Sequence, residues 1–216
     1  MNHYDYIFFD LDGTLTDSGP GIFNAVRYAL RHYGLPEADD AALRPFVGPP
    51  LHESFQRFYD FDEATSLEAV EVFREYYNVA GIFENSVYPG IPELLESLCA
   101  AGKTLMLATS KPQTAAERVL SHFGLRQHFR YVTGATADSS LVKKADIIAH
   151  VLRTAGLRGE QVLMVGDREH DVLGAKENGM ACLGVLWGYG SREELESAGA
   201  VGIAKSAEEA KQIILT

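Results

Sequence analysis

Residues 6–15 read YIFFDLDGTL, a short apolar run that ends in two aspartates and a glycine. The run itself, Tyr6–Phe9, is aromatic and β-branched without polar alternation, which is typical of a strand buried on both faces of a parallel sheet. Asp10 and Asp12 follow it, and residues two apart along a strand project to the same side. We therefore predict that both carboxylates lie together at the carboxyl end of a buried strand, where ligands bind in open α/β sheets. Gly13 then allows the chain to turn sharply.

Further apolar runs of the same kind recur along the chain. Clear candidates for strands are 104–108, 161–165 and 181–185, and weaker ones are 131–132 and 201–203. Helical patterns lie at 91–101, 113–123, 144–155 and 169–178. Strands that alternate with helices of this length predict an α/β fold, a Rossmann-like parallel sheet with helices on both faces.

Residues 17–87 interrupt this alternation because they contain no convincing strand. Two apolar helical faces occur in the segment, one made of Ile22, Ala25, Val26, Ala29, Leu30 and Tyr33, the other of Leu67, Val70, Phe73 and Tyr77. We predict a helical insertion at 17–87 within a core formed by 1–16 and 88–216.

The composition is that of an acidic globular protein. Among 216 residues, 46% are hydrophobic, and 19 basic against 30 acidic side chains give a formal net charge of -11. This charge disfavours nucleic acid and anionic membranes as partners. Cys99 and Cys182 lie far apart without a CxxC spacing, so they are predicted to be buried thiols in a reducing compartment. No signal peptide or membrane-spanning segment is predicted, and the expected location is the cytoplasm.

A second acidic motif, GDREHD at 166–171, follows the apolar run at 161–165. Asp167 repeats the strand-end placement of Asp10, whereas Asp171 falls in the first turn of the next helix. There Asp171 can cap the helix or support the site from behind, and the spacing does not choose between these roles. The convergence of Asp10, Asp12 and Asp167 predicts a site for a hard, oxygen-seeking cation such as Mg²⁺.

Two polar segments follow other strand candidates. Thr109 and Ser110 come after the run at 104–108, where hydroxyls and amides suit phosphate oxygens, although a simple turn or helix cap would use the same residues. Lys143 and Lys144 open the helical pattern at 144–155, where a lysine opposes the helix dipole. A lysine that reaches a phosphate or a carboxylate cluster explains this placement, and a solvated surface pair is the alternative.

Taken in order, these segments resemble the four motifs of the haloacid dehalogenase-like superfamily, and the likeness spans nearly the whole chain. The matching residues are 10–14, Thr109, Lys144, Gly166, Asp167 and Asp171. Ala145 departs from the Lys-Pro pair often found at the third motif, which leaves Lys143 and Lys144 as candidates, with Lys144 favoured. The helical insertion resembles the small cap of phosphoglycolate phosphatase-like members.

The resemblance implies an Mg²⁺-dependent phosphatase in which Asp10 is the nucleophile and forms an aspartyl-phosphate. Asp12 would act as general acid and then as general base. Mg²⁺ would be held by Asp10, the Asp12 carbonyl and Asp167, supported by Asp171. The residues implied to contact the phosphate are Asp10, Leu11, Asp12, Gly13, Thr109, Ser110 and Lys144. Because a net charge of -11 repels a phosphate ester, such an enzyme needs a local cation.

The expected substrate is a small phosphorylated metabolite. Phosphoglycolate is favoured by the cap type, nucleoside 5'-monophosphates are a close rival, and a sugar phosphomutase shares all four motifs. Asp12 argues against a dehalogenase, and the absence of lysine from 17–87 argues against a phosphonate-cleaving relative. A non-enzymatic regulator would be expected to lose Asp10 or Asp167. Candidate substrate contacts in the insertion are Leu51, His52 and Ser54, and no oligomeric state is indicated.

Overall fold

The computed structural model describes residues 4–136 and 140–216. Its strands are β1 (Tyr6–Phe9), β2 (Thr16–Asp17), β3 (Ser86–Val87), β4 (Thr104–Pro112), β5 (Phe129–Ala135), β6 (Val162–Gly166), β7 (Ala181–Val185) and β8 (Gly202–Ala204). Its helices are α1 (Gly19–His32), α2 (Asp40–Leu43), α3 (Leu51–Tyr59), α4 (Glu63–Tyr77), α5 (Ile91–Ala100), α6 (Gln113–His122), α7 (Lys144–Ala155), α8 (Glu169–Glu177), α9 (Arg192–Ala198) and α10 (Ala207–Leu215). The chain divides into two compact units, one of Met1–Thr16 with Val87–Thr216 and the other of Asp17–Ser86.

Six parallel strands form the sheet of the larger unit, in the order β5-β4-β1-β6-β7-β8. Phe9, the last residue of the central strand β1, is level with Leu107 on one side and with Val165 on the other. The segments that follow these three positions therefore leave the sheet at one edge. This register gathers the predicted motif residues, because the carboxyl ends of parallel strands share that edge.

Helices cover both faces of the sheet, as the alternation of elements predicts. On one face, Phe8, Met106 and Met164 pack in a buried cluster with α7 and α8. The alternate residues of the same strands, such as Ile7 and Phe9, are equally buried and project to the other face, because successive strand residues alternate. Helices α5 and α6 pack against β4 and complete the second layer. Burial on both faces explains why these strands are continuous apolar runs.

The smaller unit is helical. Helices α1 and α4 pack together, and the residues Ile22, Ala25, Val26, Ala29 and Leu30 of α1 are buried as their spacing predicts. The predicted buried face of α4 is wrong at one position, because the Leu67 side chain is 52% exposed. The buried stripe of α4 instead runs through Ser66, Ala69, Val70, Phe73 and Tyr77. Leu67 is one position away from Ser66, a rotation of about 100° around the helix, which turns its side chain out of the stripe.

The strand candidates are present in the sheet, and two of them are longer than their apolar runs. Strand β4 continues to Pro112 and β5 spans Phe129–Ala135, with an irregular register between Ala108 and Pro112 where the two strands pair. The sequence patterns predict neither of the last two helices, α9 and α10. Of the two thiols predicted to be buried, Cys182 is buried, whereas Cys99 is exposed because it lies outside the buried stripe of α5. Among the helices of residues 4–136 and 140–216, none has the length and apolar character required to cross a membrane.

Candidate active site

Asp10 is held at the centre of the sheet edge. It follows β1 directly, and its amide donates a hydrogen bond to the Val165 carbonyl at 3.0 Å. Its side chain is buried, with Oδ1 2.7 Å from the ammonium nitrogen of Lys144, and it accepts a hydrogen bond from the Thr109 side chain. Burial raises the pKa of Asp10, and the neighbouring Lys144 charge opposes that effect. Three of the four sequence motifs therefore meet at this carboxylate.

Lys144, the first residue of α7, is buried among acceptors. Its Nζ lies 2.7 Å from Asp10 Oδ1 and 2.9 Å from Asp171 Oδ1, and it donates to the carbonyl of Ala108 at 3.1 Å. The Ala108 contact is a hydrogen bond, and the two carboxylate contacts are ion pairs. Burial alone would lower the pKa of Lys144, but the Asp10 and Asp171 charges outweigh it and hold the pKa above its ordinary value. Lys143, in contrast, is exposed to solvent.

Asp171 serves two structural purposes at once. Its Oδ2 accepts a hydrogen bond from the backbone amide of Arg168 at 3.2 Å, which caps the start of α8, and its Oδ1 pairs with Lys144. Gly166 contributes by having no side chain, since a Cβ there would overlap the Asp171 carboxylate. The sequence left capping and site support open as alternatives for Asp171, and its two oxygens make both kinds of contact.

Asp167 follows β6 and is fully buried. Its Oδ1 accepts a hydrogen bond from the Thr14 hydroxyl at 3.1 Å, and its Oδ2 accepts one from the Tyr189 amide at 2.8 Å. Burial, together with the charges of Asp171 and Asp10, raises the pKa of Asp167 to about 8. Without a cation, this carboxyl therefore retains its proton far above the ordinary range of aspartate.

The residues present fit a divalent cation. Asp10, Asp167 and Asp171 each offer a carboxylate oxygen, and these oxygens lie within 4.8 Å of one another. Three ionised carboxylates and the Lys144 ammonium together carry two negative charges, which are costly to bury unless a cation neutralises them. An all-oxygen ligand set suits a hard ion rather than a soft one. The site can therefore bind a hard divalent metal ion.

The predicted convergence of the Asp10, Asp12 and Asp167 side chains is corrected at one position, because the third carboxylate of the group is that of Asp171. The Asp12 carboxylate instead pairs with Lys111, whose Nζ lies 3.0 Å and 3.1 Å from its two oxygens. Strand periodicity does not align the Asp10 and Asp12 side chains, since β1 ends before Asp10 and the chain is already turning.

Lys111 follows Thr109 and Ser110 in the sequence and is a site residue to which the sequence patterns assigned no role. It lies in the irregular part of β4, and such irregularities are common beside active sites, where they redirect side chains. Its side chain is only 3% exposed. The signal in the sequence was a lysine directly after Thr109 and Ser110, at the end of a buried strand. A lysine in such a place needs an acidic partner, because lysine is almost never fully buried unless it is paired.

A comparison with known protein families identifies the family of this chain. The family described as haloacid dehalogenase-like hydrolase matches residues 7–185, which include every motif residue discussed above. The chain belongs to this family.

Individual relatives of this haloacid dehalogenase-like hydrolase match nearly its whole length. A protein of Pseudomonas aeruginosa named 5'-nucleotidase is 48% identical over 194 residues, covering 90% of this chain and 88% of the relative. The tyrosine-protein kinase PtkA of Mycobacterium tuberculosis is 40% identical over 201 residues, covering 93% of this chain and 68% of the relative. Vibrio proteins named phosphoglycolate phosphatase are 29% and 32% identical. A crystal structure described as a predicted phosphatase from Clostridium acetobutylicum has a TM-score of 0.96 at 42% identity, covering 99% of each chain.

The remaining predicted residues of the hydrolase lie as follows. The carbonyl of buried Leu11 accepts the amide hydrogen of Leu15 at 2.9 Å, within the turn after β1. Gly13 has a φ of 86°, and its amide donates to the Thr16 carbonyl at 2.8 Å, so this amide is engaged inside the turn. A Cβ at Gly13 would also overlap the Asp167 carboxylate. Ser110 is half-buried beside Thr109 in β4.

The three candidates for substrate contact all lie in α3 of the smaller unit. Leu51 and His52 are half-buried. Ser54 is buried, and its hydroxyl donates to the Pro50 carbonyl at 3.3 Å. A hydroxyl used inside its own helix is less suited to a ligand, which leaves Leu51 and His52 as the better candidates.

A second overlooked segment of this haloacid dehalogenase-like hydrolase follows β7. The Trp187 indole donates to the carbonyl of Thr14 at 2.9 Å, and the Tyr189 amide donates to Asp167. The signal in the sequence was the pattern Trp-Gly-Tyr-Gly directly after an apolar run, since glycines near a strand often mark a close approach of two backbones.

Proposed function

We propose that this chain is an Mg²⁺-dependent phosphatase that hydrolyses a small phosphomonoester through a phosphorylated Asp10. The chain is a phosphoric monoester hydrolase of the haloacid dehalogenase type. The observation that carries the proposal is the buried cluster in which the Asp10 carboxylate contacts Lys144 at 2.7 Å and shares a potential metal site with Asp167 and Asp171. A nucleophile, a cation and a metal site within one hydrogen-bonded group are what phosphoryl transfer requires.

The proposed metal ligands are the Asp10 and Asp167 side chains and the Asp12 carbonyl, with Asp171 supporting them. Mg²⁺, when bound, would neutralise negative charge on the phosphoryl group and on the carboxylates. Thr109 and Lys144 are proposed to hold the phosphoryl oxygens, which is supported by their direct contacts with Asp10. Positioning and charge neutralisation account for most of the catalysis in reactions of this kind.

In the first proposed step, an oxygen of Asp10 forms a bond to phosphorus while the bond between phosphorus and the leaving oxygen breaks. Asp12 donates a proton to that oxygen, and the alcohol leaves. In the second step, Asp12 takes a proton from water, the water oxygen bonds to phosphorus, and the bond to Asp10 breaks. Phosphate is released and Asp10 is restored. A covalent intermediate thus divides one difficult displacement into two easier ones.

Nucleoside 5'-monophosphates are the proposed substrate class. The support is the relative named 5'-nucleotidase, which at 48% identity is considerably more similar than the relatives named phosphoglycolate phosphatase, at 29% and 32%. On this support we propose nucleotides ahead of the phosphoglycolate that the cap type alone favours. We further propose that the helical segment 17–87 acts as a cap that supplies substrate specificity, with Leu51 and His52 as its contact residues.

A second candidate function is phosphoryl transfer to or from protein tyrosine. It is supported by the 40% identity to the tyrosine-protein kinase PtkA. Both candidates use a phosphoryl group and the same carboxylate cluster, so a substrate panel must contain members of each class.

The test is a phosphate-release assay with MgCl₂ over AMP, UMP, phosphoglycolate, glucose 6-phosphate and a phosphotyrosine peptide. A parallel incubation with γ-labelled ATP tests for phosphoryl transfer. We expect hydrolysis of the nucleotides, none in the Asp10→Asn variant, and normal hydrolysis in Lys143→Met, which changes an exposed lysine outside the cluster. Full activity of Asp10→Asn would overturn the proposed nucleophile. Label transfer from ATP to tyrosine without nucleotide hydrolysis would favour the second candidate.

A further inference from the structure

Residues 187–190, WGYG, form a loop between β7 and α9, and this 187–190 loop is built around Asp167. The Tyr189 amide donates to Asp167 Oδ2 at 2.8 Å. The other carboxylate oxygen, Oδ1, accepts from the Thr14 hydroxyl at 3.1 Å, and the Trp187 indole donates to the carbonyl of Thr14 at 2.9 Å. Both oxygens of the carboxylate are therefore oriented by hydrogen bonds that lead directly or through Thr14 to the loop.

The two glycines of the loop leave room for the aspartate. A Cβ at Gly188 would lie 2.5 Å from the Asp167 Cβ and would overlap the carbonyl of Gly13. A Cβ at Gly190 would overlap the carbonyl of Asp167 itself. Neither glycine has a positive φ, so a left-handed backbone is not the reason for glycine at these positions. Their need for glycine is steric and arises from contact with Asp167 and the turn after β1.

The residue that these contacts hold, Asp167, is fully buried. A metal-binding carboxylate gains most from such support, because a fixed rotamer presents its oxygens without loss of side-chain entropy on binding. We propose that the 187–190 loop is a positioning element for the metal site, which holds Asp167 in its ligand orientation before the ion binds. The proposal rests on the metal site of the proposed function.

The chain provides its own probe for this inference. Trp187 is the single tryptophan of the protein, and it contacts the residue that bonds to Asp167. Ion binding at Asp167 should therefore change the fluorescence of Trp187, and this signal does not depend on catalysis.

The experiment measures Mg²⁺ affinity by calorimetry for the wild type, Gly188→Ala, Trp187→Phe and Asp167→Asn, with MgCl₂ as the only ligand. Tryptophan fluorescence serves as a second readout wherever Trp187 is retained. Loss of partners that orient a metal ligand weakens affinity by about 10–100-fold, and we expect this loss in both loop variants. The control Val201→Ala, at an exposed position before β8, should keep the wild-type affinity.

The outcomes separate this inference from the proposed function. Normal Mg²⁺ affinity in both loop variants, combined with loss of binding in Asp167→Asn, would overturn the positioning role and leave the metal site intact. Absence of Mg²⁺ binding by the wild type would overturn both. If Gly188→Ala fails to fold by circular dichroism, Trp187→Phe decides alone, since it keeps a six-membered aromatic ring and removes the indole donor.

Discussion

The Lys111 ammonium nitrogen lies 3.0 Å and 3.1 Å from the two carboxylate oxygens of Asp12, and both side chains are largely shielded, at 3% and 13% exposure. The pair joins the turn after β1 to the irregular end of β4. Because both charges are withdrawn from water, loss of either partner would leave the other buried and unpaired, so this contact holds the two side chains together. It fixes the direction of the residue that we propose as the proton donor and acceptor.

Replacement of Lys111 by methionine should therefore weaken proton transfer to the leaving group. We expect kcat/KM for AMP to fall about 100-fold, because misplacement of a catalytic group by about 1 Å has an effect of that size. The kcat/KM for p-nitrophenyl phosphate should change much less, because this constant reports the first step and its leaving group departs without a proton. Steady-state kinetics on the two substrates measure the difference, with Lys143→Met as control. Equal losses of kcat/KM on both substrates would show that Lys111 does not act through Asp12.

Removal of the Lys144 charge should destabilise the metal-free protein. The Lys144→Met variant leaves two buried carboxylates, Asp10 and Asp171, without their cation. Loss of one partner from a buried ion pair costs about 3–5 kcal/mol, which we expect as the drop in the free energy of unfolding. Urea denaturation in EDTA measures it. The matched variant Lys143→Met should lie within about 0.5 kcal/mol of the wild type. The same small effect in both variants would contradict the prediction.

The stability of the metal-free protein should fall as pH rises towards 8. The pKa of Asp167 is raised from 3.8 to about 8 in the folded protein, so between these values the folded state holds a proton that the unfolded state has lost. The contribution of this group is fully present below about pH 4 and is lost as pH rises through about 8. Thermal unfolding in EDTA at several pH values measures the slope. Asp167→Asn should flatten it, and an unchanged slope in that variant would assign the effect to other groups.

Mg²⁺ should raise the thermal stability more at alkaline than at acidic pH. The Asp167 carboxyl must lose its proton to bind a metal ion, so binding releases protons and strengthens as pH rises. Thermal shift assays with MgCl₂ at pH 5.5 and pH 8.5 compare the two conditions. Activity should also disappear in excess chelator and return when MgCl₂ is added. Undiminished turnover in EDTA would count against a metal-dependent reaction.

Much of the larger unit follows from local patterns in the sequence. The runs at Tyr6–Phe9 and Ala181–Val185 are strands with the predicted ends, because burial on both faces requires an uninterrupted apolar stretch. Prediction was weaker where tertiary contacts extend an element. Lys111 belongs to β4 although it is charged, since its backbone lies in the strand and its side chain is paired with Asp12. Leu67 is apolar and nevertheless exposed, because helical phase rather than hydrophobicity alone sets the buried face.

The strand-end positions of Asp10, Thr109 and Asp167 predicted a common edge, because parallel strands bring their carboxyl ends together, and the resemblance to the family added Lys144. The choice of partners at that edge depends on tertiary structure. The Thr14 hydroxyl donates a hydrogen bond to Asp167, which lies 153 positions further along the chain. The Asp12 carboxylate pairs with Lys111, and Asp171 provides the third carboxylate of the acidic group. Strand formation is a local property of apolar runs, whereas side-chain pairing is set by distances that exist only after the sheet has formed and water has been excluded.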